Sequence, residues 1–154
     1  MKMKMKMKMK IALIGCTKTK EASSCKAIGM YMPSTYYRLR REYAEKILKI
    51  EGKNIFILSA KHYLLAPTTV IAPYNLSLSG FTDSQKKEWA EEVLKQFLAK
   101  KISKEDTEIY ILAGSNYSRY LEKMLIDEGY TVINVLKGKG GIGNQMGWLK
   151  DELK

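Results

Sequence analysis

The 154-residue sequence predicts an α/β fold, a three-layer Rossmann-like sandwich around a mainly parallel sheet of about four to five strands. Three observations predict it. Four short apolar runs alternate with amphipathic stretches of helical period. The runs are nearly continuously apolar rather than alternating, as strands are when helices cover both faces of their sheet. Strand–helix alternation, in turn, implies parallel strands joined by right-handed crossovers.

The elements follow in order. "MKMKMKMKMK" alternates with period two, which fits either an extension of the first strand or a frayed low-complexity tail. The strand is expected to begin near Met7 to Met9; residues 1–9 are set apart as a Met–Lys extension from a single domain over 10–154. "KIALIG" (10–15) is the first strand. "STYYRLRREYAEKILKI" is a helix with Ser34 as N-cap and Gly52 just past its end. "NIFILS" (54–59) is the second strand. The insert 64–82 carries two of the three prolines and little charge, and is expected to form a lid or wall. "TDSQKKEWAEEVLKQFLAKKI" is a helix capped by Thr82 or Asp83, with Trp89, Val93, Phe97 and Leu98 on one stripe. "EIYILAG" (108–114) is the third strand and "SRYLEKMLIDEG" the helix after it, ending at Gly129. "TVINVL" (131–136) is the fourth strand, and "NQMGWLKDELK" closes the chain as a helix.

Composition narrows the class. No apolar run reaches the ~20 residues a bilayer span needs, and the lysine-rich start leads directly into a strand, so a cytoplasmic protein with no membrane partner is expected. The formal net charge is +11, and 22 basic against 16 acidic residues remain once the first ten residues are set aside. Such a balance favours polyanions, although lysines simply solvating helix faces produce it too. Two cysteines nine apart and one distant histidine do not form a zinc framework, so no metal and no cofactor is assigned.

In open α/β sheets ligands bind beyond the carboxyl ends of the strands. The segments there are "CTKTK", "SAKHYLL", "GSNYSRY" and "KGKGGIGNQ", each rich in hydroxyls, lysines or glycines. In the first, Thr17, Lys18, Thr19 and Lys20 surround a turn whose amides suit an anion, without the glycine spacing of a Walker loop or a dinucleotide fingerprint. Cys16 is either a nucleophile activated beside lysines or a small packed hydrophobe. His62, beside Ser59 and Lys61, is a candidate proton carrier, with a structural histidine the rival. Gly114, Ser115, Asn116 and Tyr117 combine a tight turn with groups that could read or stack a base, or merely cap a helix. Gly143 closes a cluster of four glycines, Asn144 and Gln145 then open the last helix, and Tyr74 in the insert is a second candidate for base contact.

The quoted order "IGCTKTK", "MYMPSTYYRLRREYAE", "ILSAKHYLLAPTTVIAPYNLSL", "WAEEVL", "YILAGSNYSRYL", "GIGNQMGWL" resembles a family of small uncharacterised bacterial, archaeal and phage proteins. That family has a strand-ending Ser-Ala-x-His-Gly-Leu and a terminal Gly-x-Gly-x-Gln. Tyr63 stands here in place of the glycine after the histidine. The family is distantly similar to the YaaA peroxide-stress proteins and to deazaguanine-modifying proteins related to archaeosine synthase, which implies a nucleobase, nucleotide or nucleic acid as partner but no reaction. The expected function is an enzyme acting on a nucleobase or nucleoside, by base modification or N-glycosidic chemistry, free or in nucleic acid. A non-enzymatic nucleic-acid-binding protein and a nucleotide-responsive regulator are the alternatives. No carboxylate stands out as an activator of water: Glu42 and Glu45 lie on a helix and Asp83 at a cap.

Overall fold

A computed structural model describes residues 8–154; the Met–Lys alternation over 1–7 lies outside the described residues. The first strand, β1 (Met9–Gly15), starts inside the expected window, with Met9 opposite Thr107. A two-residue strand β2 (Cys25–Lys26) and one turn of helix α1 (Ala27–Met30) lead to α2 (Thr35–Glu42). Ser34 caps α2 as expected, its Oγ accepting from Tyr37 N at 3.2 Å. The helix widens into a π-turn over Tyr43–Ile47 and stops there, five residues before Gly52. The expected glycine stop is therefore corrected. Lys49 takes the left-handed conformation (φ 58°), and Ile50 N donates to Ala44 O at 2.9 Å, an early turn that buries Ile50.

Next come β3 (Ile55–Ser59), buried along its whole length, and β4 (Tyr63–Leu65). β4 runs antiparallel to β3, and β5 (Val70–Ile71) pairs antiparallel with β2, so the insert holds more regular structure than the expected loop. A loop cannot leave its backbone groups unpaired against a core, and these short ladders satisfy them. α3 (Asp83–Leu98) opens with a capping box between Thr82 and Gln85 and buries Trp89, Ala90, Val93 and Phe97, with Leu98 half-buried at the stripe's edge. β6 (Thr107–Leu112) is followed by α4 (Ser115–Asp127), then β7 (Thr131–Asn134) and α5 (Ile142–Glu152). Both last helices begin earlier than expected, at Ser115 rather than Ser118 and at Ile142 rather than Asn144. Each starts directly after a glycine, Gly114 or Gly141, that serves as N-cap without a side chain.

The five-stranded sheet has the order β4-β3-β1-β6-β7, with β3, β1, β6 and β7 mutually parallel. α2 packs on β1 and on α5, while α3 packs on α4 and α4 on β7, giving the three layers. The chain passes from β1 to β3 on one side and then returns to β6 on the other. Loops after β1 and β6 therefore diverge, and a crevice opens between the carboxyl ends of these neighbouring strands. Among the described residues no helix is long and apolar enough to cross a membrane.

Candidate functional site

The crevice is a cavity of about 650 Å³. Its lining gathers Cys16, Thr17, Lys18 and Lys20 from the loop after β1, with Gly114, Ser115, Asn116 and Tyr117 from the start of α4. Gln145 joins from α5, and Asn75, Leu76, Ser77 and Ser79 form a wall from the insert. Thr19, Ser59, Lys61, His62, Tyr74, Gly143 and Asn144 do not line it.

Several of those absent residues stand directly behind it. Ser59, fully buried at the end of β3, accepts from the amides of Lys61 (3.2 Å) and His62 (3.0 Å), and so folds the turn after the strand. Its hydroxyl is 2.7 Å from that of Tyr74, which is 2.7 Å from that of Tyr31. The His62 ring meets Tyr74 edge-on, with centroids 5.4 Å apart. Lys20 Nζ lies 4.5 Å from the centre of the Tyr74 ring and carries this cluster to the cavity wall. Burial lowers the pKa of His62, with the charge of Lys61 acting the same way; burial also lowers that of Lys20. Tyr63, where the resembled family has glycine, holds φ 63°, a conformation glycine adopts freely.

At the other end of the first loop, Cys16 is buried beneath the cavity and its Sγ donates to Tyr117 Oη at 3.3 Å. Tyr117 Oη also accepts from Leu78 N at 3.4 Å, which ties the insert to the site. Burial, and then the nearness of Cys16, raises the Tyr117 pKa, so its phenol stays protonated.

The residue that sequence reasoning missed is Arg40. It is 1% exposed, yet it forms part of the cavity lining. Its guanidinium donates to Gly15 O and Leu112 O, both at 2.9 Å, and to Tyr36 O at 3.3 Å, thereby bridging β1 and β6 at the point where their loops part. It stacks 3.9 Å above the Tyr36 ring. Burial lowers its pKa, but a guanidinium remains protonated at neutral pH. Among the described residues no carboxylate lines the cavity with it. A signal was available: Tyr37, Arg40 and Ala44 share one buried helical face, so an arginine occupies an otherwise apolar stripe. Tyr36, four residues before Arg40, donates to Gln145 Oε1, while Gln145 Nε2 donates to Gly140 O at 2.9 Å. α5 is thereby fixed against α2.

Electrostatically the cavity is one-sided. Among the described residues no acid pairs with Arg40; a buried cation in that position is expensive, and the carbonyls around it offset that only in part. Lys18 and Lys20 add positive charge. The first residues of α4 and α5 reach the lining, and neither helix start has a side-chain cap, so the positive ends of two helices lie at the same cavity. An anionic group is the natural complement of such a lining. Among the described residues no three of His, Cys, Asp or Glu converge as a metal site would require.

Residues 11–151 match the model of a family of unknown function, DUF6884, and the chain belongs to that family. No curated protein matches it.

Proposed function

We propose, taking membership of this family as the premise, that the protein is an enzyme acting on a nucleobase or nucleoside that it holds by an anionic, phosphate-type group. The observation that carries this reading is the cavity lined by the buried Arg40 and, among the described residues, by no carboxylate. Helix N-termini and lysines are the usual protein ligands of phosphate, and a cavity of about 650 Å³ is the size of a small-molecule site. Cys16, on the same lining, is the candidate nucleophile, and Tyr117 holds its Sγ in place. His62 acts in this reading through Tyr74, as a positioning group behind the wall rather than as a group touching substrate. The resemblance read from the sequence motifs, to YaaA and archaeosine-synthase-related proteins, implies the same substrate class. The two free cysteines fit a reducing cytoplasm.

Binding is tested first. Inorganic phosphate and adenosine monophosphate are expected to raise the Tm of the wild type by mass action and to lose that effect in Arg40→Met. Catalysis is tested by incubating the wild type and Cys16→Ser with a nucleotide mixture and following it by mass spectrometry. A nucleotide-type compound consumed by the wild type and retained unchanged by the variant is the expected result. Absence of any Tm response to either anion ends the reading. Binding without turnover would leave a regulator, and affinity for long nucleic acid that falls steeply with salt would favour the nucleic-acid-binding alternative.

A further inference from the structure

A second compartment, of about 270 Å³, adjoins the first and shares Ser115, Gly140 and Gln145 with it. Its far wall is built by the middle of α4 and the end of β7, and its lining sets one carboxylate, Glu122, beside two cations, Arg119 and Lys137. Glu122 is the only carboxylate on the lining of either compartment among the described residues. Its side chain is 17% exposed, and Oε2 accepts from Asn134 Nδ2 at 2.9 Å. A carboxylate can only accept, so Asn134 must turn its nitrogen toward Glu122 and its oxygen away. That oxygen, Oδ1, is buried without any hydrogen-bond partner. The groups fixed here are therefore acceptors. The cations nearby are exposed and already engaged: Lys137 Nζ lies 3.3 Å from Glu122 Oε1, and Arg119 is 3.6 Å from Asp83. The long, solvated Lys137 side chain can be displaced at little expense.

We infer that one ligand spans both compartments. Its anionic group lies over Arg40, and an N–H-donating group passes the partition of Ser115 and Gln145 to reach Glu122, replacing the Lys137 ammonium. This rests on the reading of the first compartment as an anion site and narrows its substrate class: the base carries an exocyclic amine or an equivalent N–H donor. Glu122 in this role recognises the substrate, and Asn134 positions Glu122.

The test measures affinities by calorimetry for inorganic phosphate and three matched nucleotides. These are purine riboside monophosphate, adenosine monophosphate with one exocyclic amine, and diaminopurine riboside monophosphate with two. At least one amine-bearing nucleotide is expected to bind the wild type about tenfold or more tightly than the purine nucleotide, as a hydrogen bond to a charged acceptor supplies. In Glu122→Met that ratio should fall to about one. Equal wild-type affinities for all three nucleotides, with phosphate still bound, overturn the subsite and leave the anion site standing. A preference that survives in Glu122→Met overturns it as well. If neither phosphate nor any nucleotide binds, the anion site itself fails and the subsite with it.

Discussion

Arg40 carries no role in the sequence reading, whereas the lone imidazole at a strand end reads there as site chemistry. In the structure Arg40 is the buried cation of the cavity, while His62 stands one ring behind the wall. As the only histidine in the chain, His62 gives a single imidazole titration by NMR. Burial and Lys61 both disfavour its charged form, so its midpoint is expected below the ordinary value of 6.5. The sign for stability follows. Between the folded midpoint and 6.5 the unfolded chain binds more protons at this residue, so the contribution of His62 to stability rises with pH through that window and is level above it. A midpoint at or above 6.5 would contradict this environment. Tyr74 and Ser59 were expected at the site and instead hold its frame together, through hydroxyls in a chain that ends on Tyr31.

At the level of elements, the junction of β1, β6 and α2 decides the cavity. A Cβ placed on Gly15 would lie 3.0 Å from Ala113 Cβ and 3.1 Å from Arg40 Nη1, so the strands and the arginine approach this closely only because residue 15 is glycine. Gly15→Ala is expected to destabilise the protein by about 1–3 kcal/mol, as overpacking does, in urea unfolding. Phosphate affinity should weaken in the same variant as Arg40 is displaced. A variant with wild-type stability and affinity would show that the junction has slack. The glycine cluster before α5 has its own requirement: Gly140 holds φ 88°, and a Cβ there would meet Asn144 Nδ2 at 2.7 Å. These glycines were legible in the sequence as special backbone. Their use, pinning α5 so that Gln145 meets Tyr36, was not, because nothing local links residues 109 positions apart.

For the molecule as a whole, the site is a property of the switch in strand order between β1 and β6. Rigid strands carry it and loops line it, which predicts where a bound anion leaves its mark. Hydrogen exchange with saturating adenosine monophosphate should slow in four segments: 16–20, 75–79, 114–117 and 140–145. Amides of β1, β3 and β6 should be unaffected below global unfolding. Slowing spread evenly over the sheet, or confined to exposed lysine-rich surface, would place the ligand elsewhere. The same topology explains why the insert is a wall. β4 turns back on β3 and β5 pairs with β2, so the chain between Ile71 and Thr82 is carried over the carboxyl rim.

The sequence by itself determined the class of fold, the four parallel strands, the Ser34 and Thr82 caps and the rim on which the polar segments collect. Those features rest on local period, turn chemistry and the rule that links strand alternation to parallel sheets. Only the tertiary structure decided which polar groups share one space. That depends on contacts between residues far apart in the chain: Arg40 with Gly15 and Leu112, Cys16 with Tyr117, Tyr36 with Gln145. The burial of a charge is likewise a property of everything packed around it. A helix sequence shows that Arg40 lies on the inward face, but the packed molecule alone shows that, among the described residues, no acid joins it on the cavity lining.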